Sequence, residues 1–256
     1  MKIVRHVGEV DHADGLVPTM GALHDGHRAL FRAARAENDL VVASLFVNPA
    51  QFDDESDLAA YPRDEARDAE IAEQEGVDVL FAPPADELYP SGFGTWVDVE
   101  GTGSEGAARP GHFRGVATVC LKLFNIVQPQ RAYFGQKDAQ QAAVLRRLVR
   151  DLNLSVQIRV LPTVRDADGL ALSSRNSLLS PEERARALAL PQALTRGAET
   201  FSHGGDAVAA TQAALDGLSN DYVELVEIDG ATVLAGAVRV GSTRLIDNVI
   251  LKGALS

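Results

Sequence analysis

A single cysteine, Cys120, among 256 residues rules out an internal disulfide, and its place in the apolar run Val116 to Leu123 argues against a thiolate metal site. A reducing compartment follows, and cytoplasmic localisation is the expectation. Long hydrophobic runs are missing too. The longest, Leu40 to Val47, is far too short to span a bilayer, and the N-terminus has no apolar core of signal-peptide length, so an unanchored protein is expected. Positive charge is scarce: 24 Lys and Arg stand against 36 Asp and Glu, a formal net charge of −12. That balance disfavours general affinity for nucleic acid or an anionic membrane, so an anionic substrate must be met by locally gathered positive groups. No Gly-Lys-Ser/Thr follows the Gly-rich stretch Gly101 to Gly106, which excludes a P-loop there and predicts a flexible loop instead. Internal repeats are absent as well.

What is present is a core-forming chain, 46% hydrophobic, in which strands and helices alternate. Gly15 to Val17, a helix over His27 to Glu37, and the β-branched strand Leu40 to Val47 make a βαβ unit. Pro62 to Glu75, closed by Gly76, and the strand Val77 to Phe81 make a second. A buried helix over Gly115 to Val127, a strand at Arg131 to Phe134, a helix over Ala139 to Leu152 and a strand at Leu154 to Leu161 extend the pattern. Such alternation predicts a doubly wound, Rossmann-like parallel α/β sheet with ligands outside the carboxyl ends of its strands. After Pro181 the texture changes to Ala-rich helices, Pro181 to Phe201 and Asp206 to Leu218, and strands near Tyr222 to Ile228 and Thr243 to Leu251. A smaller α+β C-terminal lid domain is expected, with the division 1–164 and 165–256.

The chemistry should sit in the strand-to-helix loops. Strand Gly15 to Val17 runs into Pro18-Thr-Met20-Gly21 and Ala22-Leu23-His24-Asp25-Gly26-His27, where a helix opens. Free N–H groups at that helix start favour phosphate oxygens, Gly26 lets a ligand approach the backbone, and two imidazoles flank the position. A pair of histidines is bland about as often as it is functional, and a metal site would need a third ligand that does not appear nearby. Gly135-Gln136-Lys137-Asp138 follows a strand and offers a phosphate clamp, although an isolated motif of this kind more often holds a solvated lysine. Leu172-Ser173-Ser174-Arg175-Asn176 supplies two hydroxyls and a guanidinium for distant phosphates, or else a polar interdomain loop. All three fall on one predicted edge of one sheet, so they can meet.

In this order, Pro18 to His27, Phe46-Val-Asn-Pro-Ala-Gln-Phe52, Tyr61-Pro-Arg63, Arg109-Pro-Gly-His-Phe-Arg-Gly115, Phe134 to Gln141, Leu161 to Arg165 and Leu172 to Asn176 resemble the blocks of the pantothenate synthetase family. The similarity continues through Tyr222 to Val226 and Val238 to Asp247, covering most of the chain. The resemblance implies condensation of (R)-pantoate with β-alanine, driven by ATP cleavage to AMP and pyrophosphate through a pantoyl-adenylate, in a homodimer using Mg²⁺. By position it implies that Met20 to His27 line the ATP site, with His27 as proton donor and His24 beside the phosphates. Gly135, Gln136, Lys137 and Asp138 would hold phosphate and ribose, the Val164 backbone would meet adenine, and Leu172 to Arg175 would close over the triphosphate. Gln51 and Gln141, with Met20, would bind pantoate, and Asp68 matches a carboxylate near the magnesium, while Arg67 departs from an acidic pair. The lead before Pro18 is shorter than the family's, because Glu9 to Asp14 has no room for the helix usual there, which is expected to alter packing or the dimer. A nucleotidylyltransferase acting on a phosphorylated substrate and a catalytically silent nucleotide-binding module share the fold. The neutral glutamines favour a hydroxy-carboxylate over the first, and a complete set of site groups argues against the second.

Overall fold

A computed structural model describes residues 1–101, 103–215 and 217–255. In chain order the elements are β1 (Lys2–Val4), β2 (Gly15–Thr19), α1 (Asp25–Glu37), β3 (Val41–Leu45), α2 (Glu55–Ala60), α3 (Glu65–Gln74), β4 (Val79–Phe81), α4 (Ala85–Leu88), α5 (Gly103–Ala108) and α6 (His112–Val127). They continue with β5 (Arg131–Gly135), α7 (Ala139–Asp151), β6 (Gln157–Leu161), α8 (Pro181–Ala187), α9 (Ala189–Ser202), α10 (Ala207–Ala214), β7 (Ser219–Ile228), β8 (Ala231–Val240) and β9 (Thr243–Lys252). Six strands form a parallel sheet in the order β1-β4-β3-β2-β5-β6. β7, β8 and β9 form a separate antiparallel sheet.

The expected doubly wound sheet is therefore present, and its architecture follows from burial on both faces. Val41, Val42 and Ala43 are fully buried, as a near-continuous apolar strand requires. α1 and α3 cover one face through Phe31, Ala34, Ile71 and Ala72, while α6 and α7 cover the other through Val116, Cys120, Leu145 and Leu148. Strand order turns around between β2 and β5: β3 and β4 extend to one side and β6 to the other. The loops leaving β2 and β5 consequently diverge and open a crevice, the place where this class of sheet binds ligands.

Several boundaries move for identifiable reasons. The Asp64 carboxylate accepts from the Arg67 N–H, so α3 begins at Glu65, after Pro62. Gly111, at φ +86°, ends the preceding turn and lets α6 begin at His112, three residues before the expected start. The expected helix Pro181 to Phe201 divides into α8 and α9 at Leu188. The expected helix Asp206 to Leu218 shortens to α10; its Asp216 lies outside the described residues.

Two expectations fail. Gly101 to Gly106 is not a simple loop: Gly103–Ala108 forms α5, whose Glu105 is buried and accepts from the two terminal nitrogens of the Arg244 guanidinium at 2.9 and 2.7 Å. Thr102 lies outside the described residues. β8 is absent from the expected strands: in Ala231-Thr-Val-Leu-Ala-Gly-Ala-Val-Arg-Val240 the Val and Thr of a strand are interrupted by Ala235-Gly-Ala237, residues depleted in strands. It is the middle strand, pressed between α9 and its two neighbours, where Ala and Gly fit because there is no room for more. Near the N-terminus a single 3₁₀ turn, Val7–Glu9, stands where a helix has no space, and Val7, Val10 and Ala13 pack onto the main core. Ile228, Ala231, Val233 and Leu255 from the small sheet and the chain beyond it pack into the same core.

Candidate active site

At the carboxyl ends of β2 and β5 lies a cavity of about 240 Å³. Met20, His24, Gly26, His27, Gln51, Gly135, Lys137, Asp138, Gln141, Val164, Leu172, Ser173, Ser174 and Arg175 all line it, so loops separated by as much as 155 residues converge as their pattern suggested.

The histidines are fixed by the helix they open. His24 caps α1: its Nδ1 accepts the Gly26 N–H at 3.1 Å, and the His24 N–H reaches Nδ1 of His27 at 3.3 Å. Each Nδ1 is thus an acceptor, which assigns the proton of both neutral rings to Nε2. The rings lie 4.1 Å apart. Burial, and then the Lys137 ammonium, lower the pKa of His24 to about 4, while burial and then His24 itself lower that of His27 to about 3. Both are uncharged at neutral pH and offer Nε2–H as hydrogen-bond donors. Gly26 is required less by a ligand than by His24: a Cβ there would lie 2.9 Å from the imidazole Cε1.

Asp68 is buried, and its two oxygens accept the N–H groups of Leu23 at 2.8 Å and Ala22 at 2.9 Å. Burial pushes its carboxyl above the ordinary aspartate range against the pull of these bonds. The loop it grips runs through left-handed backbone at Gly21 and Ala22, φ +84° and +50°. Among the described residues no group of three His, Cys, Asp or Glu could hold a metal ion. Each Asp68 oxygen holds one backbone N–H and keeps a second lone pair, so this carboxylate would hold magnesium only together with ligands from elsewhere, such as phosphate oxygens.

Other expected contacts also take places of their own. Leu23 is a core residue of the α1 and α3 face. Asp25 points outward and pairs with Arg28 at 3.7 Å. The Gln136 amide turns to Asn248, donating to its Oδ1 at 3.1 Å. Ser174 Oγ donates to the Ala22 carbonyl at 3.2 Å, joining the Ser173 to Arg175 segment directly to the loop after β2. Arg175 pairs with Asp57 at 2.9 Å.

Two glutamine amides line the same cavity. Gln51 is buried; its Nε2 donates to Met20 Sδ at 3.1 Å and its Oε1 accepts from Asn48 Nδ2 at 3.0 Å. The Gln141 side chain has no hydrogen-bond partner among the described residues and faces the cavity. Tyr61, Arg109, His112 and Asn48 share this wall without having been assigned a role by sequence. Each stands inside one of the quoted blocks, which was the available signal. His112 Nδ1 lies 2.9 Å from the Gln51 carbonyl, and burial, then the Arg109 guanidinium, lower its pKa to about 4. Beside Val164 on the same cavity, Thr163 Oγ1 is buried with no hydrogen-bond partner.

The sequence model of the pantoate-beta-alanine ligase family matches residues 2–250. The chain belongs to that family. The pantothenate synthetase of Moorella thermoacetica is 53% identical to it over 93% of this chain and 90% of that one, and the pantothenate synthetase of Roseiflexus castenholzii is 52% identical over 98% and 100%. Among solved structures, the pantothenate synthetase of Thermus thermophilus matches with a TM-score of 0.94 at 47% identity, covering 99% of this chain and 100% of that one. The pantoate-beta-alanine ligase of Francisella tularensis, complexed with beta-gamma ATP and beta-alanine, matches with a TM-score of 0.85 at 33% identity across the full length of both chains. Family membership identifies the chain as an enzyme, and one cavity of the fold gathers histidine, lysine and amide side chains from the family's blocks.

Proposed function

We propose that this chain condenses pantoate with β-alanine at the expense of ATP, forming pantothenate, AMP and pyrophosphate through an enzyme-bound pantoyl-adenylate. The observation that carries the reading is one cavity lined by two unlike sets of groups: two Nε2–H imidazoles with Lys137, and the amides of Gln51 and Gln141. A carboxylate cannot expel oxide, so adenylation supplies AMP as the leaving group for attack by the amine. Negative charge then collects on the α-phosphate and the departing pyrophosphate. Lys137, Arg175 and the two imidazoles stabilise it by position and by preorganised donors, and no protein nucleophile is needed. Neutral imidazoles suit this work, since their donor capacity persists well below pH 7.

Gln51 and Gln141 both donate and accept, as a substrate with carboxylate and hydroxyls demands. The Thr163 hydroxyl and the Val164 backbone serve the adenine. Residues 1–164 form the nucleotide- and pantoate-binding part in this reading, and residues 165–256 the lid, with Ser173 to Arg175 closing on the triphosphate and Ser256 outside the described residues. Water exclusion by that closure protects the adenylate until β-alanine arrives. Magnesium enters this reading only as the ion that accompanies ATP, whose phosphates would supply most of its ligands. A homodimer in the cytoplasm, with neither nucleic acid nor membrane as partner, completes the proposal.

The test is exchange of labelled pyrophosphate into ATP with pantoate present and β-alanine absent. Exchange is expected, and only with pantoate. Exchange without pantoate would point to a different acceptor, and absence of both exchange and net synthesis would overturn the proposal.

A further inference from the structure

The loop that carries Lys137 is held by a residue from the other sheet. Asn248, on β9, is 1% exposed, and its Nδ2 donates to two successive carbonyls, Gln136 at 2.8 Å and Lys137 at 3.0 Å. Its Oδ1 accepts from Gln136 Nε2 at 3.1 Å, so both N–H groups and the oxygen of the amide are satisfied at the single turn between β5 and α7. The neighbouring Asp247, equally buried, accepts the Asn248 N–H at 2.8 Å and takes the Arg165 guanidinium on both oxygens at 2.6 and 3.0 Å. Arg165 opens the turn that leads to Ser173.

Strand pairing does not call for an amide at this place. β9 is registered against β8 through its backbone, and Asn248 lies opposite Ala235, where an apolar side chain would satisfy packing alone. A buried amide costs free energy unless every polar atom is paired, so its full set of partners shows what the position is shaped to hold. Lys137 needs such support. Its one ion pair among the described residues is with Asp138, at 3.9 Å, at the limit of such a contact. The direction of its side chain therefore depends on the backbone from which it springs.

We propose that Asn248 is a positioning residue for Lys137, fixing the two carbonyls of its turn so that the ammonium meets the transferring phosphate; this rests on the adenylating reading of the cavity. The same contact ties the seating of the small sheet to the placement of the lysine. Asn248 does not line the cavity, so in this reading its effect on the chemistry passes through Lys137.

A four-protein cycle tests this: the native chain, Asn248→Ala, Lys137→Ala and the double variant, compared in single-turnover release of pyrophosphate from ATP and pantoate with enzyme in excess, a readout that follows very slow rates. Asn248→Ala is expected to slow adenylation about ten-fold with Lys137 present and less than about two-fold without it, because residues acting through one another lose energy non-additively. Its half-saturating pantoate concentration is expected to stay unchanged. Equal slowing in both backgrounds would mean a general structural role and would overturn the inference while leaving the proposed reaction intact. No pyrophosphate release by the native chain would overturn the reaction and the inference together. If Asn248→Ala melts before assay, Asn248→Asp, which keeps the volume but not the pair of donated bonds, goes through the same cycle against the same criteria.

Discussion

At the scale of single residues, Asp68 shows how a carboxylate near a nucleotide site can serve geometry. Its two oxygens take adjacent backbone N–H groups of a loop that turns through left-handed backbone at Gly21 and Ala22. Asp68→Asn retains the size but turns an N–H₂ toward one of those donors. The loss of a charged hydrogen bond is expected to cost about 1.5–3 kcal/mol of stability, measurable by urea denaturation. Because Met20 and His24 flank the loop, the half-saturating ATP concentration should rise as well, while the dependence of rate on magnesium concentration stays where it was. A changed magnesium dependence with unaltered stability would make Asp68 a magnesium ligand instead.

Among elements, the crossing of α6 over the turn after β3 decides where Gln51 stands. A Cβ at Gly115 would lie 2.3 Å from the Ala50 carbonyl oxygen and 2.7 Å from the Gln51 nitrogen, both backbone atoms that have no rotamer to give. The Gly115 carbonyl also accepts from Asn48 Nδ2 at 3.1 Å, and Asn48 in turn holds Gln51. Gly115→Ala should therefore push the helix and the turn apart, at about 1–3 kcal/mol for an overpacked contact. The functional signature is a raised pantoate requirement with ATP binding nearly unchanged, measured by calorimetry on the folded variant. Unchanged pantoate affinity would show that the turn absorbs the methyl without moving Gln51.

For the molecule as a whole, three half-buried or buried histidines, His24, His27 and His112, stay neutral in the fold with values near 4, 3 and 4. In the unfolded chain each takes up a proton near pH 6.5. Their folded pKa values are depressed, so the unfolded state binds more protons as pH falls from about 6.5 toward 4, and stability drains across that window. With three such groups the slope approaches about 4 kcal/mol per pH unit near pH 5, at about 1.4 kcal/mol for each proton. Stability from urea titrations should be level above pH 7 and fall steeply from pH 6 to 5. A level profile down to pH 5 would show that these rings carry charge in the folded state.

The parallel sheet was legible because its strands are buried on both faces, which leaves uninterrupted apolar runs such as Val41 to Leu45, and because helical spacing is local. The loops with chemistry were legible through their position after those runs and through their match to family blocks. β8 was not, because its small residues reflect the tightness of a place that exists only once α9 and the outer strands are assembled. Nor was α5, which depends on Glu105 meeting Arg244 across 139 residues. The sequence by itself determined the helices and strands of the parallel sheet, the α/β class and which charged and amide side chains stand in its strand-to-helix loops, since these rest on near-neighbour periodicity and side-chain chemistry. Only the tertiary structure decided that Asp68 grips a loop, that the two histidines expose Nε2–H, and that Asn248 reaches the turn of Lys137, because each depends on hydrogen-bond directions fixed by where the chain is finally packed.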